Sequence, residues 1–198
     1  MKRIIVLCLL LSSLQSYAQL VEKITDPVEW VNPLMGTQSK HALSNGNVYP
    51  AIALPWGMHF WTPQTGKMGD GWVYSYESDK INGFRQIHQP SPWIGDYGQF
   101  SIMPVTGKPL FREEERASWF SHKAETVKPY YYSVYLAEHD VVAEITPTER
   151  AAMFRFTFPR NDSSFVVIDA LDMGSYVQII PAEKKIIGYT TKNRGGVP

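Results

Sequence analysis

Four aspartates in predicted loops, Asp70, Asp96, Asp169 and Asp172, are the residues most able to do acid–base chemistry. Hydrolysis of a glycosidic bond requires two carboxyl groups that flank the scissile bond, one of them acting as an acid. Asp96, between a glycine and a tyrosine, is the best placed of the four to contact a ligand. It could equally form an Asx-turn, in which the carboxylate accepts hydrogen bonds from nearby backbone N–H groups. The sequence alone therefore specifies no complete catalytic set.

Two tryptophans stand where a restricted backbone would present them to a ligand. Trp93 follows Pro92, and Trp72 follows a predicted tight turn at Gly71. A tryptophan held in such a loop can stack on the apolar face of a sugar and supply contact area at low entropic cost. The alternative is that the indole ring fills the end of a β-sandwich. Both interpretations stay open for both residues.

His88 lies beside Gln86 and Gln89, which predicts a cluster of hydrogen-bonding side chains. The imidazole either contacts sugar hydroxyl groups or is a structural histidine. The remaining histidines are scattered and lack the spacing of metal ligands, so we expect no metal site formed by protein alone; they are His41, His59, His122 and His139. A phosphate-binding glycine loop and a nucleophile-elbow serine are not found either.

Most of these candidates fall in one segment, residues 83–98, which is unusual in composition. Pro90 and Pro92 fix their own φ angles and push the preceding residues into extended conformations. Gly95 and Gly98 permit backbone angles that other residues avoid. We therefore expect a shaped loop without regular secondary structure, of the kind on which binding sites often lie.

The segments around this loop predict a mainly β protein. Residues rich in β-branched and aromatic side chains recur about every 8–12 residues with turn signals between them, which is typical of an antiparallel β-sandwich. The predicted strands are residues 56–63, 72–76, 99–105, 130–136, 141–146, 153–158, 165–170, 176–180 and 185–190. Asp26 and Pro27 predict a short helical turn. The charged run at 111–119 is expected to be a solvated connection.

The first 18 residues have the features of a secretory signal peptide. A basic start at Lys2 and Arg3 precedes an apolar run too short to span a bilayer, and a small-residue ending at Ala18 follows. We therefore expect export to the periplasm or the medium, with a mature domain over residues 19–198. Cys8, the single cysteine, would leave with the signal, so the mature chain would have no disulfide bond.

The composition of the mature chain argues against two classes of partner. Without Lys2 and Arg3, acidic side chains outnumber basic ones by two, so no basic patch for nucleic acid or anionic membrane is expected. Residues 191–198 follow the last predicted strand without an element that would protect a sheet edge. We therefore expect the chain to be the front part of a longer protein.

Several ordered motifs resemble the N-terminal domain of glycoside hydrolase family 92, the exo-acting α-mannosidases. They include Val31-Asn32-Pro33-Leu34-Met35-Gly36-Thr37, Leu54-Pro55-Trp56-Gly57-Met58 and Gly95-Asp96-Tyr97-Gly98, together with residues 46–51, 81–84, 88–93, 103–104, 120–122, 131–134 and 146–150. The resemblance covers the chain from about Asp26 to Pro198. Asn47 and Ala51 depart from the common pattern, which leaves the linkage preference open.

The resemblance implies a β-supersandwich domain, normally followed by an (α/α)6 barrel that is absent here. It also implies an inverting, Ca²⁺-dependent exo-α-mannosidase that takes part in degrading mannose-containing glycans such as N-glycans. The acid, the base and the calcium ligands would lie on the barrel, so we expect no catalytic residue and no metal ligand in this chain, which alone would be inactive. The residues expected to contact the sugar are Trp93, Trp72, His88, Asp96 and Gly71.

The alternative function is a stand-alone carbohydrate-binding β-sandwich without catalysis. It would share the aromatic loops and the export signal with the enzyme domain. Binding of mannosides by the isolated chain would favour it.

Overall fold

The structure is a computed structural model that describes residues 26–38, 48–66, 73–87, 100–170 and 174–190. It divides into two compact units, Met1–Val31 and Asn32–Pro198. In the first unit, Pro27–Trp30 form one turn of 3-10 helix. The Asp26 side chain caps this turn by accepting a hydrogen bond of 3.1 Å from the Val28 N–H. The predicted helical turn is therefore confirmed.

The second unit is built almost entirely of β-strands. The strands are β1 (Phe60–Gln64), β2 (Lys80–Ile81), β3 (Gly83–Ile87), β4 (Phe100–Thr106), β5 (Ser118–Trp119), β6 (Glu125–Lys128), β7 (Tyr131–Leu136), β8 (Val141–Pro147), β9 (Ala152–Thr157), β10 (Ser164–Ala170), β11 (Ser175–Ile180) and β12 (Lys185–Thr190). Among the described residues, the α-helical part is the single turn α1 (Glu113–Arg116). Two further 3-10 turns are His122–Ala124 and Pro181–Glu183.

Two four-stranded antiparallel sheets dominate this unit. The first has the strand order β1-β3-β4-β10, and the second the order β6-β7-β8-β9. The pairs β2-β5 and β11-β12 form two-stranded sheets. This arrangement confirms the predicted mainly β, antiparallel sandwich.

The main core lies between the two four-stranded sheets. The first sheet contributes Trp61 and Phe84, and the second contributes Tyr132 and Phe154. The ring of Trp61 meets the ring of Phe154 edge-on with centroids 4.7 Å apart. Burying a side chain of this size contributes about 1.5–3 kcal/mol, so these contacts are a major stabilising term.

The second sheet follows the alternation that its sequence predicts. Along β7, Tyr132, Val134 and Leu136 are buried, whereas the residues between them are more exposed. In β9, Phe154 and Phe156 pack against the core while Arg155 and Thr157 lie on the outer face, as a period of two requires.

Two predictions about local structure were wrong. The segment 83–98 begins with a regular strand, β3, because Phe84 and Ile87 are buried and the strand pairs with both β1 and β4. The polar side chains of Arg85 and Gln86 conceal this strand in the sequence. The run 111–119 is not simply a solvated connection, because it contains α1 and β5 and the side chain of Arg116 is fully buried.

The two earliest strands also differ from prediction. The first begins at Phe60 rather than at residue 56, because a turn closed by the Gly57 N–H and the Leu54 carbonyl precedes it. The expected strand at 72–76 is not formed by residues 73–76. Instead, the Val73 carbonyl accepts hydrogen bonds from the N–H groups of Thr65 and Gly66, which ties this segment to the end of β1.

Candidate functional site

The five residues expected to contact sugar lie outside the residues that the structure describes. Gly71 and Trp72 fall in the segment 67–72, and His88, Trp93 and Asp96 fall in the segment 88–99. The candidate acids Asp70 and Asp172 also lie outside the described residues. The roles of all seven therefore remain predictions, and the described residues show only the points from which these segments leave the sheet.

The two segments leave the first sheet at opposite ends of the β1–β3 pair. Residues 88–99 connect Ile87 to Phe100, and Ile87 pairs with Phe60 at the start of β1. The segment 67–72 follows the other end of β1, where Gln64 pairs with Gly83. The two ends of β1, at Phe60 and Gln64, therefore lie roughly 13 Å apart, at about 3.4 Å per residue.

A row of polar side chains crosses the first sheet near the segment 88–99. The register places Thr62, Arg85, Ser101 and Asp169 side by side on four consecutive strands. Thr62, Arg85 and Ser101 are buried, and the side chain of Asp169 is 28% exposed. Burying polar groups costs free energy unless they are hydrogen-bonded, so these four side chains need hydrogen-bond partners.

Arg116 supplies a partner for Asp169, at one end of this row. Its Nη2 donates to Asp169 Oδ2 at 2.7 Å, and its Nε donates to the Asn82 carbonyl at 2.9 Å. A third hydrogen bond runs from Nη1 to the carbonyl of Phe111. The single turn α1 thus carries a buried guanidinium that joins β10 to the residue before β3.

The loop assignment of Asp169 is therefore wrong, whereas the predicted strand at 165–170, which also includes this residue, is confirmed. Asp169 lies within β10, and its carboxylate is engaged with a buried arginine. A carboxylate in this position organises the sheet. The set of aspartates in predicted loops is thereby reduced to three, all outside the described residues.

A second polar cluster, around His122 and Glu125, contacts the backbone at Tyr76. His122 Nε2 donates to the Tyr76 carbonyl at 2.8 Å, and the His122 and Tyr76 rings stack with centroids 3.9 Å apart. His122 Nδ1 and Tyr132 Oη both bind the carboxyl group of Glu125, whose side chain is only 1% exposed. These contacts fix the backbone four residues after Trp72.

The tyrosines around Glu125 are held in the neutral form. Burial raises the pKa of Tyr132 well above its ordinary value, and the nearby Glu125 carboxylate raises it further. Burial likewise raises the pKa of Tyr74, with a smaller contribution from Glu125. Neither phenol can therefore serve as a base near neutral pH.

A third cluster lies on the outer face of the second sheet. Glu144 on β8 stands opposite Arg155 on β9, and Arg155 donates two hydrogen bonds to it. Tyr131 Oη donates a further one, at 2.6 Å. The hydrogen bonds from Arg155 and then from Tyr131 lower the pKa of the Glu144 carboxyl from its ordinary value of 4.5 to about 2.

The three described histidines do not come together. His139 Nε2 lies 2.8 Å from the Arg116 carbonyl, His122 belongs to the Glu125 cluster, and His59 packs edge-on against Trp61. Within the described ranges, no group of three or more His, Cys, Asp or Glu side chains could hold a metal ion. The part of the chain that the structure describes therefore shows no cluster of carboxylates of the kind that would hold Ca²⁺.

The sequence matches the profile described as the Glycosyl hydrolase family 92 N-terminal domain over residues 30–197. This range covers most of the chain. The chain belongs to glycosyl hydrolase family 92, as part of its N-terminal domain.

Solved structures of family 92 agree with this assignment. The inverting mannosidase of Bacteroides thetaiotaomicron is 48% identical to this chain, with a TM-score of 0.79 over 86% of the chain and 23% of the mannosidase. An α-mannosidase of the same organism is 33% identical, with a TM-score of 0.62 over 72% of this chain and 20% of that one. The chain thus spans less than a quarter of the length of these enzymes.

A curated relative is more distant. It is an uncharacterized secreted glycosidase of Arthroderma benhamiae, 26% identical over 145 residues, which are 70% of this chain and 18% of the relative.

In the described part of the family 92 chain, no helix has the length and apolar character needed to cross a bilayer.

Sequence reasoning did not find the buried polar groups that hold the family 92 domain in shape. Arg116 lies in a run of charged residues, which normally indicates a solvated surface, and Glu125 stands in a short strand without clear alternation. The signal that could have found Arg116 is a single arginine closing an acidic turn just before the pattern Ala117-Ser118-Trp119.

Proposed function

We propose that this chain is the N-terminal domain of an exported, Ca²⁺-dependent, inverting exo-α-mannosidase that acts on mannose-containing glycans. In this proposal the domain lends loop residues to the sugar pocket, while the acid, the base and the calcium ligands belong to a barrel domain outside this chain. The observation that carries the proposal is the similarity to the inverting mannosidase, 48% identical over 86% of the chain.

The hydrogen bonds of three described carboxylates favour a structural role for these groups rather than a catalytic one. The carboxylates of Asp169, Glu125 and Glu144 are each engaged by hydrogen bonds from arginine, histidine or tyrosine side chains. A pair of carboxyl groups that flanks a scissile bond must instead be open to substrate and, for inversion, to a water molecule. These three carboxylates are thus suited to holding the sheets together.

A chimera tests the proposal. This chain, from residue 19, replaces the residues of the Bacteroides thetaiotaomicron inverting mannosidase that it matches, and the isolated chain serves as the control. We expect the chimera to hydrolyse an aryl α-mannoside and to release β-mannose first, as inversion requires. The isolated chain should be inactive. A folded chimera without α-mannosidase activity, or one that releases α-mannose first, would contradict the proposal.

Removal of calcium distinguishes the two parts of the enzyme. Since the proposal places the calcium ligands on the barrel, EDTA should leave the melting temperature of the isolated chain unchanged. The activity of the chimera should be lost in EDTA and restored by added Ca²⁺. A chimera that is fully active in EDTA would remove the proposed calcium dependence.

The same isolated chain tests the alternative of a stand-alone binding module. Titration with methyl α-mannoside in a calorimeter should give no heat of binding, because the pocket is completed only with the barrel. Saturable binding by the isolated chain would favour the binding module instead.

A further inference from the structure

The turn before β1 carries the most exposed aromatic side chain in the described part of the chain. This residue is Trp56, which is 97% exposed and lies within one of the family motifs. The Gly57 N–H donates to the Leu54 carbonyl at 3.0 Å and closes a turn whose two central residues are Pro55 and Trp56. The tryptophan therefore occupies the tip of a tight turn rather than the face of a strand.

The backbone of Trp56 is in the left-handed region, with a φ angle of 63°. With Pro55 at the second position, a left-handed residue at the third defines a type II turn, which normally takes glycine or asparagine there. For a residue as bulky as tryptophan this conformation is an outlier. Strained positions of this kind cluster at binding and active sites, where the surrounding structure holds them. The strain therefore indicates a role for the indole ring that glycine could not fill.

Hydrogen bonds on both sides hold this turn in place. Ile52 and Trp61, both in the main core, exchange two backbone hydrogen bonds of 2.9 and 3.0 Å and close the loop that contains the turn. The Met58 N–H donates to the Glu149 carbonyl at 2.8 Å, which ties the turn to the connection between β8 and β9. Because its backbone is fixed in advance, Trp56 can contact a ligand at low entropic cost.

The loop that binds Met58 places polar side chains beside the turn. Its Glu149 and Arg150 side chains are exposed, and the Ala151 N–H donates to Thr148 Oγ1 at 3.0 Å, which shapes the loop. A flat apolar ring near a carboxylate and a guanidinium matches a pyranose, which offers an apolar C–H face and hydroxyl groups around its rim. The cores of protein interfaces, in contrast, are poor in glutamate. The chemistry of this region therefore favours a sugar.

The turn lies at the end of the first sheet from which the segment 88–99 leaves. Trp56 precedes β1, and Phe60 at the start of β1 pairs with Ile87, the last residue before that segment. Trp56 is thus on the side of the domain where the sugar pocket is proposed, but on a different connection of the sheet. The turn and the pocket can therefore bind neighbouring sugar units of one glycan.

We propose that Trp56 forms a sugar subsite, in which its indole ring stacks on the sugar unit next to the mannose that is released. The inference rests on the proposed function, because the glycan that offers this second sugar is the proposed substrate. A single stacked ring stabilises a complex too little for the isolated chain to bind a monosaccharide, so the subsite acts only together with the pocket. The competing partner of the ring is the remaining polypeptide of the enzyme.

Two substrates separate this subsite from the pocket itself. α-Mannosyl fluoride carries a single sugar, whereas an α-linked mannobiose, chosen as the one that the chimera hydrolyses fastest, carries a second. In the chimera, we expect Trp56→Ala to lower kcat/KM for the mannobiose at least about fivefold, mainly through a higher KM, because a binding contact is lost. The kcat/KM for α-mannosyl fluoride should stay within about twofold of the parent value, because this substrate does not reach the ring.

Three further variants control for the structure of the turn. Trp56→Phe keeps an aromatic ring and should retain most of the kcat/KM for the mannobiose. Trp56→Gly removes the ring but suits the left-handed backbone, so it should match Trp56→Ala in kinetics without lowering the melting temperature. Trp119→Ala removes a tryptophan that is 46% exposed on β5 and should leave kcat/KM for both substrates unchanged.

Electrophoresis in a gel that contains a soluble α-mannan provides a readout that does not depend on hydrolysis. We expect the mannan to retard the folded parent chimera and to retard the Trp56→Ala chimera less. An inactive parent that is retarded in this way, with less retardation in Trp56→Ala, would reject the proposed function and support the subsite.

Three results would overturn the subsite. The first is an active parent chimera in which Trp56→Ala leaves kcat/KM for the mannobiose unchanged. The second is a Trp56→Ala chimera whose melting temperature falls and whose kcat/KM falls equally for both substrates, which would identify the remaining polypeptide as the partner of the ring. The third is an inactive parent that the mannan does not retard, which would reject the proposed function as well.

Discussion

At the scale of single residues, the described part of the domain is organised by a few buried polar groups rather than by apolar packing alone. Arg116 is the clearest case, because a fully buried guanidinium binds Asp169 and two backbone carbonyls. Removing one partner of such a pair leaves the other charge uncompensated, which costs more than the pair itself contributes.

Arg116→Ala should therefore destabilise the protein strongly. We expect the free energy of unfolding to fall by about 3 kcal/mol, the lower end of the range for buried pairs, because the Asp169 side chain is partly exposed. Urea denaturation followed by circular dichroism would measure it. Arg155→Ala, which removes an exposed arginine, is the control and should change the midpoint little. Equal effects of the two variants would contradict the assigned roles.

Tyr132→Phe tests the Glu125 cluster. The variant keeps the ring in the core but removes the hydroxyl group that donates to Glu125 Oε2 at 2.8 Å. A buried carboxylate that loses a donor is destabilised, so we expect a loss of about 1–3 kcal/mol in the same assay. Tyr131→Phe removes a hydroxyl from the more exposed Glu144 and should cost less. A neutral Tyr132→Phe would show that Glu125 does not depend on this hydrogen bond.

Gly83 is required by a close approach between strands. A Cβ at this position would collide with Ser101 Oγ, while the Ser101 Cβ lies at an acceptable 3.4 Å. Gly83→Ala should lower the free energy of unfolding by roughly 1 kcal/mol, because the buried serine must leave its rotamer. In a Ser101→Ala background the same change should be nearly neutral. Simple additivity of the two substitutions would refute this explanation.

At the scale of elements, β8 and β9 carry a pH-dependent contact. Because the pKa of Glu144 is lowered to about 2 in the folded state, the contact stabilises the protein above its ordinary pKa of 4.5. That contribution is lost as the pH falls from 4.5 through 2. Arg155 is exposed, so the total effect is small.

Glu144→Gln should accordingly reduce the melting temperature at pH 6 and have little effect at pH 2. The quantity to measure is the difference in melting temperature between the two proteins across this range. Glu183→Gln, which affects an exposed ion pair with Lys185, is the control. A difference that is constant from pH 6 to pH 2 would contradict the lowered pKa of Glu144.

The elements also show which parts of the fold were predictable. Strands β7 to β9 were found from sequence because they are rich in β-branched and aromatic residues, and the burial of their side chains alternates as expected. Strand β3 was missed because Arg85 is buried at a position where alternation would place an apolar residue. Turn α1 was missed because its charges suggest solvent. Tertiary hydrogen bonds decide both cases, and no local pattern records them.

The candidate site was less predictable than the fold. Aromatic and polar loop residues could be proposed from composition, but their partners come from distant parts of the chain. Arg116 and Asp169, for example, are 53 positions apart. The family motifs supplied the proposed function, whereas composition and strand periodicity alone predicted only a β-sandwich with ligand-contacting loops.

At the scale of the whole molecule, the domain is a two-sheet sandwich whose main core lies between the two four-stranded sheets. One end of the first sheet carries the segment 88–99, from which Trp93 is proposed to reach the sugar. The chain spans less than a quarter of its mannosidase relatives, and the proposed pocket would be completed only in the longer enzyme.

The most direct test of this account is the effect of Trp93→Ala on the chimeric mannosidase. We expect kcat/KM for an aryl α-mannoside to fall at least about 100-fold, because a stacking contact to the sugar is lost at the pocket. The melting temperature should change little. Trp119→Ala, which removes a tryptophan that is 46% exposed on β5, should leave kcat/KM near that of the parent chimera. Unchanged kinetics in Trp93→Ala together with a large fall in melting temperature would show that Trp93 is only a structural plug.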